Sequence, residues 1–485
     1  MSEQEQAISE WPDSKKIHES LDALVAQPMW ELNRDYLKEV LKWFDTHCSK
    51  SKAMIEKAKK IIPGGVQHNL AFNYPWPLDI TKAEGAYLYD VDGNKYIDFL
   101  QAGGPTLLGS NYKPVQEKVI EIIRECGPIT GLFHEYEYKL AEIINQYMPA
   151  VEKFRALGSG TESSMAAIRI ARTATDKRKI IKGGGSYHGW NDQVAYGMHI
   201  PGSGAAEADG IPRGCYKNTQ EFVPHDIEAL EKMLKKNDKK GGTAAVLLEP
   251  IGAESGTVPV LKDWNKQVAE LCEQYGTLLI FDEVVTGFRL GMGGAQGYFG
   301  IEPDLTIFGK IVTGGYPMAG GVGGKEEYME YVAAGVEAGK KRAYVGGTLS
   351  ANPMSCCAGY WAIKEIARTK AYLKAGRAGD RITKGLQEII EKYQLPYVAF
   401  NHASICHLET SGLMNIDIMD PIQSKQITAR KDMLHEMGAA YTTKGIITLA
   451  GSRIYTSMAD NDEVIDKALA GFDEVMSHVE PPKKK

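Results

Sequence analysis

The sequence predicts an α/β domain with a mostly parallel β-sheet, accompanied by a smaller domain of mixed helices and strands. Two observations lead to this prediction. Short apolar runs bounded by turn formers alternate with longer segments whose apolar residues have helical spacing. Several of these runs are apolar throughout instead of alternating with polar residues, which is typical of strands buried on both faces of a parallel sheet.

The predicted elements follow one another in a regular order. We expect buried strands at 154–157, 179–182, 244–248, 278–281 and 304–310. Helical patterns cover about 114–148, the residues after 162, about 263–275 and a long segment from about 355. The polar segment of roughly 191–240 looks like a loop followed by a helix. Residues 85–99 read as a β-hairpin that turns at Asp92-Gly93.

These elements suggest three regions. Residues 1–60 form a helical N-terminal extension, whose apolar stripe is expected to pack on the body or on a second subunit. Residues 61–105 and 355–485 form the small domain, and residues 106–354 form the large domain.

Composition excludes several classes of protein. The 485 residues carry a net charge of −6, so there is no basic footprint for nucleic acid. No apolar run approaches the roughly 18 residues of a membrane span, and the acidic, polar N-terminus does not resemble a signal peptide. Seven scattered cysteines without a CxxC pair favour reduced thiols over disulfides or a metal site. We therefore expect a cytoplasmic protein.

Polar groups follow four of the predicted strands where each strand ends. They are Ser159-Gly160-Thr161, Tyr187-His188, Asp282 and Lys310. Because the carboxyl ends of parallel strands share one edge of a sheet, we expect these groups to converge there. A Gly-rich turn between a strand and a helix offers backbone N–H groups to a phosphate. Taken alone, Asp282 fits a turn cap equally well.

The combination is more informative than its parts. Pyridoxal phosphate needs a phosphate cradle, an aromatic face, a carboxylate for its ring nitrogen and a lysine for its aldehyde. Lys310 follows Gly309 in an apolar run, whereas a solvated surface lysine usually has polar neighbours.

These residues carry a resemblance to a known family. The matching segments are 63–66, 90–98, 158–162, 187–189, 249–251, 282–289, 294–296, 309–310 and 347–353. In this order they resemble the class III aminotransferases of fold type I, and within them the glutamate-1-semialdehyde 2,1-aminomutase branch. The resemblance implies a fold-type I architecture and pyridoxal phosphate as cofactor.

The resemblance also implies roles for individual residues. Lys310 would form the Schiff base and shuttle protons, and Asp282 would pair with the pyridine nitrogen. Val284 and Tyr187 would pack on the two ring faces, and His188 belongs to the same motif as Tyr187. The remaining positions implied for the cofactor site are Ser159, Gly160 and Thr161 at the phosphate, Glu249 at the site wall and Thr348, which would reach the phosphate of a neighbouring subunit in a homodimer.

The chain departs from the aminomutase pattern around the substrate. The arginine that holds the substrate carboxylate in that pattern is absent, since the corresponding position is Ala71 or its neighbour. A tryptophan is replaced by Gly103, and an amide near the cofactor is replaced by Glu254. A methyl group cannot substitute for a bidentate guanidinium. Arg289 is either a replacement anion binder or part of a structural ion pair.

The sequence thus favours an aminotransferase that moves an amino group from an amino acid or amine to a 2-keto acid. The alternative is an isomerase on the same cofactor, either a 2,1-aminomutase or an amino-acid racemase. A regulator that keeps the fold without catalysis predicts loss of Lys310 or Asp282, and both are present.

Overall fold

The computed structural model describes residues 5–71, 73–127, 129–335 and 340–482. The chain forms two compact units, the first comprising Met1–Ser14 and Lys113–Leu373 and the second Lys15–Tyr112 and Lys374–Lys485. Within the described ranges, no helix is long and apolar enough to cross a membrane.

The helices and the strands are each numbered in the order in which they occur along the chain. The helices α1 to α17 are Ser14–Ala26, Arg34–His47, Ser49–Ala58, Lys113–Glu125, Glu135–Tyr147, Gly160–Thr175, Arg213–Tyr216, Ile227–Asp238, Ala253–Gly256, Trp264–Gln274, Gly294–Phe299, Glu326–Met329, Pro353–Thr369, Ala371–Lys392, Pro421–Ser424, Ile427–Thr443 and Asp462–Met476. The strands β1 to β17 are Glu31–Leu32, Ile80–Glu84, Tyr87–Asp90, Lys95–Asp98, Lys153–Leu157, Lys179–Gly183, Thr219–Phe222, Thr243–Leu248, Val258–Pro259, Leu278–Asp282, Leu305–Gly309, Gly320–Gly324, Val398–His402, Ile405–Glu409, Ile446–Ile447, Arg453–Tyr455 and Val479–Glu480.

The first unit is built on a sheet of seven described strands in the order β5-β12-β11-β10-β8-β6-β7. Strand β12 runs antiparallel to both of its neighbours, and the other pairings are parallel. The prediction of an α/β fold with a mostly parallel sheet is therefore confirmed.

Apolar residues cover both faces of this sheet, which explains why its central strands β8 and β10 are mostly apolar. Ile180 packs with Ile170 of α6 in one core cluster. The next residue, Ile181, points to the opposite face and packs with Leu230 of α8 and Val268 of α10 in a second cluster. Successive strand residues face opposite sides of a sheet, so helices cover both faces.

Two strands of this sheet were not predicted. Strand β12 consists of four glycines and one valine, so it lacks the side chains that reveal a strand pattern. Strand β7 lies inside the polar segment of roughly 191–240 and pairs in parallel with β6 at the edge of the sheet. The prediction of a loop followed by a helix there missed this strand.

The second unit contains three small sheets, ordered β15-β4-β3-β2, β13-β14-β16 and β1-β17 in the described residues. The predicted hairpin is confirmed, because β3 and β4 are antiparallel and Gly93 in their turn has a φ of 96°. The core of the second unit contains Val40 and Phe44 of α2 together with Ile382 and Phe472.

The bounds of the units differ from the predicted division. Residues 15–60 lie in the second unit because the apolar face of α2 is part of that unit's core. Helix α13 lies in the first unit, where Gly359 approaches the carbonyl oxygen of Val312. The first four residues of the predicted extension lie outside the described residues, as does Phe72, the neighbour of Ala71.

Candidate active site

The register of the first unit's sheet brings the predicted strand ends to one edge. Asp282 pairs with Ile307 of β11, and Phe281 pairs with Leu248 of β8, so Glu249 follows beside Asp282. Gly309 and Leu157 both pair with Gly320 of β12, so Lys310 and the turn after β5 emerge together. This is the edge at which open α/β sheets bind ligands.

Asp282 and His188 form a buried pair at this edge. The Nδ1 atom of His188 lies 2.7 Å from Oδ2 of Asp282, and the backbone N–H of Val284 donates to Oδ1 at 3.0 Å. Burial lowers the pKa of His188, partly offset by the charge of Asp282. The neutral imidazole therefore carries its proton on Nδ1 and donates it to the carboxylate.

The adjacent carboxylate, Glu283, has a different environment. It accepts hydrogen bonds from the Thr286 hydroxyl at 2.6 Å and from the backbone N–H groups of Ala295 and Gln296 at 2.8 and 2.9 Å. Those N–H groups belong to the first turn of α11, where they lack intrahelical acceptors. Glu283 thus anchors a helix, and Asp282 alone faces the candidate site.

Glu249 organises the neighbouring loop. Its carboxylate accepts backbone N–H groups from Tyr187 at 2.9 Å, Glu254 at 3.0 Å and Ser255 at 2.6 Å. Burial, followed by repulsion from Glu254 and Asp282, raises the pKa of Glu249 to about 8. The sequence predicted Glu249 as a wall residue, and it fixes the backbone next to Tyr187.

The Gly-rich turn after β5 forms the N-terminus of α6. Ser159 is the N-cap, and its side chain accepts the backbone N–H of Glu162 at 3.2 Å. Gly189, with a φ of 90°, lies against this turn, because a β-carbon there would be 2.4 Å from Oγ1 of Thr161. The N-terminus of α6 therefore lies at the sheet edge with the backbone of Gly189 packed against it. This geometry is suited to binding a phosphate.

Val284 links this turn to the lysine strand. A β-carbon at Gly160 would lie 3.1 Å from one methyl group of Val284, and one at Gly309 would lie 2.9 Å from the other. Lys310 follows β11 with a φ of 44°, a left-handed conformation that costs energy for a residue with a side chain.

Two predicted residues lie at the surface of the chain. The side chain of Tyr187 is exposed, and its ring centroid is 5.9 Å from that of His199. Thr348 is also exposed, and it lines an open cavity of about 820 Å³ in the first unit. The predicted role of Thr348 at a neighbouring subunit's phosphate stays a prediction.

An acidic cluster beside Tyr187 was not predicted as a group. His199 bonds to Glu207 at 2.9 Å through Nδ1, and its Nε2 lies 3.6 Å from Glu254. The hydrogen bond with Glu207 is the main reason that the pKa of His199 is raised. His199 and Glu207 come from the segment predicted as a loop, where no motif distinguished them.

Arg289 is fully buried. Because its side chain has no access to solvent, the structure favours a structural role for Arg289 over the role of a replacement anion binder.

The described residues fit pyridoxal phosphate. The Nε2 atom of His188 is buried and has no hydrogen-bond partner among the described residues. The imidazole is therefore hydrogen-bonded to Asp282 through Nδ1, while its second nitrogen is unsatisfied. The helix N-terminus, the carboxylate and the lysine stand on the same sheet edge, which matches the three chemical groups of the cofactor. No cluster of metal ligands occurs in the described ranges.

Comparison with known proteins agrees with this geometry. The family model "Aminotransferase class-III" matches residues 71–448. The chain is 41% identical over 350 residues to a glutamate-1-semialdehyde 2,1-aminomutase of Chloroherpeton thalassium, covering 71% of this chain and 79% of that protein. It is 35% identical to the protein of the same name from Chlorobium limicola, covering 87% and 96%.

Solved structures share the fold. An omega-transaminase from Sphaerobacter thermophilus is similar with a TM-score of 0.78 and 25% identity, covering 88% of this chain and 97% of that one. The two structures of a glutamate-1-semialdehyde aminomutase from Pseudomonas aeruginosa have TM-scores of 0.79 and 0.78 at 20% identity, covering 95% of this chain and 98 to 99% of that one. This chain belongs to the class III aminotransferase family, whose members are pyridoxal phosphate-dependent enzymes.

Proposed function

We propose that this enzyme is an isomerase of the aminomutase type, which moves an amino group between two carbons of one small substrate. The observation that carries the proposal is the 41% identity to a 2,1-aminomutase across 79% of that protein's length. Amino transfer to a keto acid, the function favoured by the sequence alone, becomes the second candidate.

The substrate is a small amino carbonyl compound bound without the aminomutase arginine. Residues 67–71 contain no arginine, and Glu254 occupies the place of an amide. A carboxylate next to Glu254 would be repelled, so any substrate carboxylate contacts other residues.

Each residue of the site has a physical role in this reaction. Pyridoxal phosphate, when bound, supplies an aldehyde and a ring that accepts electron density. Ser159, Gly160 and Thr161 would hold its phosphate at the N-terminus of α6. Asp282 would keep a proton on the ring nitrogen, with its carboxylate oriented by His188. Lys310 would take a proton from the substrate carbon and return it to another carbon.

The surrounding residues would position the ring. Val284 packs against the backbone at both Gly160 and Gly309, and it would support one ring face. Tyr187, whose N–H is held by Glu249, would cover the other face and exclude water from it. Glu249 with a raised pKa is protonated near neutral pH, which limits negative charge beside the site.

The enzyme would act as a homodimer in the cytoplasm. Leu132, Phe133 and Tyr344, which line the cavity of about 820 Å³ together with Thr348, are exposed apolar or aromatic side chains. Exposed apolar groups of this size commonly mark a protein interface. All seven cysteines are free of disulfides, as expected for a reducing compartment.

Transamination is kept as the second candidate for a specific reason. Ala71, Gly103 and Glu254 differ from the aminomutase pattern, and all three belong to the predicted substrate surroundings. The likeness to an omega-transaminase at 25% identity supports the same candidate.

An isotope experiment separates the two reactions. Holoenzyme is given ¹⁵N-labelled amino carbonyl substrates, beginning with glutamate 1-semialdehyde, with and without 2-oxoglutarate or pyruvate. We expect ¹⁵N in an isomer of the substrate without any acceptor. Label found in a new amino acid only when a keto acid is present would replace the isomerase with a transaminase. Inverted configuration at the original carbon would identify a racemase.

A further inference from the structure

The N-terminal end of the described chain packs on the first unit, far in sequence from the rest of that unit. Residues 5–14, here called the N-terminal strap, belong to the unit that otherwise comprises Lys113–Leu373. Ala7 and Ile8 are buried there, and so is Ser14 at the end of the strap. The family model matches residues 71–448, so membership of the family does not account for these contacts.

The first half of the strap is bound to the turn that follows β10. The backbone N–H of Ala7 donates to the carbonyl oxygen of Leu290 at 2.8 Å. Gln6 lies against the next residue, because a β-carbon at Gly291 would be 2.6 Å from Oε1 of Gln6. Leu290 is itself fully buried, and its N–H donates to the carbonyl oxygen of Thr286 at 3.2 Å. The strap thus holds the far end of this turn.

Trp11, in the second half of the strap, packs on the C-terminal end of α11. Its ring stacks on that of Tyr298, with centroids 5.6 Å apart and planes at 26°, and it meets Phe299 edge to face at 5.2 Å. Both separations lie in the range that aromatic pairs prefer. The indole N–H donates to the carbonyl oxygen of Val260 at 3.2 Å. Trp11 therefore connects α11 to the chain before α10.

The other end of α11 is bound to the residue that follows Asp282. The N–H groups of Ala295 and Gln296 donate to the carboxylate of Glu283. The side-chain amide of Gln296 donates to Glu283 at 3.2 Å and to Oγ1 of Thr306 in β11 at 3.3 Å. A displacement of α11 would therefore break these bonds or move the backbone beside Asp282.

We propose that Trp11 is a positioning residue for the cofactor site. By holding α11, it keeps Glu283 and the backbone beside Asp282 in the arrangement that binds pyridoxal phosphate. Without the indole ring, cofactor binding would have to order α11 as well, which weakens the observed affinity. The role of Trp11 is the same for an isomerase and for a transaminase, because both use this cofactor.

Equilibrium dialysis of Trp11→Leu with pyridoxal phosphate tests the proposal, since leucine keeps apolar volume and removes the ring. We expect an affinity about two- to tenfold below that of the wild type, the size of one aromatic contact. Turnover of the fully loaded variant should match the wild type, because the bound cofactor restores the arrangement. Trp11→Phe keeps a ring on Tyr298 and should recover most of the affinity.

Trp361→Leu is the matched control. Trp361 is also a half-buried tryptophan of the first unit, and its indole N–H donates to the hydroxyl of Tyr136 at 3.1 Å. Its ring meets Tyr360 edge to face at 5.5 Å. This variant should lose thermal stability as Trp11→Leu does but keep wild-type cofactor affinity. Equal affinities of the two leucine variants would overturn the proposal and leave Trp11 with a purely structural role.

Hydrogen–deuterium exchange of the unsubstituted protein tests the same coupling without a variant. A strap that strengthens cofactor binding must itself be stabilised by the cofactor, because coupling between two binding events is reciprocal. Removal of the cofactor should therefore speed amide exchange in residues 5–14 by about two- to tenfold relative to α8. Exchange in the strap that does not respond to the cofactor would contradict the proposal.

Discussion

The Nδ1 atom of His188 lies 2.7 Å from Oδ2 of Asp282, although the two residues are 94 positions apart in the chain. Both side chains are buried. Because Oδ1 of the same carboxylate is held by the N–H of Val284, Asp282 has one fixed orientation. A carboxylate fixed in this way keeps a charge at a constant position without reorganising during a reaction.

Asp282→Asn should therefore lower turnover while leaving the fold intact. The variant keeps the size of the side chain and removes the charge that the ring nitrogen and His188 require. Loss of one charge-assisted hydrogen bond, about 1.5–3 kcal/mol, corresponds to a decrease of at least about tenfold. Steady-state kinetics of the holoenzyme measures the change.

Glu283→Gln is the matched variant at the next position. It should destabilise the protein by about 1–3 kcal/mol, because an amide cannot accept the hydrogen bonds that the Glu283 carboxylate accepts at both oxygens. Urea unfolding measures the loss, and turnover per folded molecule should stay near that of the wild type. Equal losses of turnover in both variants would show that the two carboxylates do not have separate roles.

Gly189→Ala should weaken cofactor binding. The new methyl group would lie 2.4 Å from Oγ1 and 2.7 Å from Cα of Thr161, and the φ of 90° adds backbone strain. A cost of about 1–3 kcal/mol corresponds to a roughly 5- to 150-fold weaker affinity. Equilibrium dialysis with pyridoxal phosphate measures it.

Gly202→Ala is the control for backbone strain alone. Gly202 has a φ of 74°, and no atom lies within 4 Å of a β-carbon placed there. It should retain wild-type cofactor affinity even if its stability falls. If both variants lose affinity equally, the contact between Gly189 and Thr161 does not shape the phosphate site.

The sequence predicted those parts of the site that follow from the residue pattern of a single short segment. Strands β8, β10 and β11 are mostly apolar, so their ends and the polar residues at those ends could be placed. Strand β12 could not, because glycine has no side chain to show a period. The pairing of His188 with Asp282 and the anchoring role of Glu283 depend on contacts distant in sequence, which no single segment records.

Lys310→Ala should abolish covalent retention of the cofactor and lower turnover by about 10²- to 10⁴-fold, the usual contribution of a proton-transfer group. Intact-protein mass after borohydride reduction measures retention directly. Lys262→Ala, at an exposed lysine of the same unit, should keep both properties. Retained cofactor mass in the Lys310 variant would place the attachment on another lysine.

The raised pKa of Glu249 predicts a pH-dependent stability. In the unfolded chain this carboxyl has an ordinary pKa near 4.5, whereas burial and neighbouring carboxylates raise the folded pKa to about 8. Between these values the unfolded state has lost a proton that the folded state keeps. The stabilising contribution is thus present below pH 4.5 and is lost as the pH rises towards 8, by at most about 1.4 kcal/mol per pH unit.

Glu249→Gln removes the titrating group. The amide also loses one acceptor oxygen, because Glu249 accepts N–H groups at both oxygens, but that loss is the same at every pH. Urea unfolding of holoenzyme at a series of pH values should show the wild type losing stability relative to the variant as the pH rises from 4.5 to 8. Titrating groups distant from Glu249 affect both proteins alike and cancel in the difference. A constant difference across that range would mean that Glu249 is ionised in the folded protein, and that the three N–H groups from Tyr187, Glu254 and Ser255 outweigh its burial.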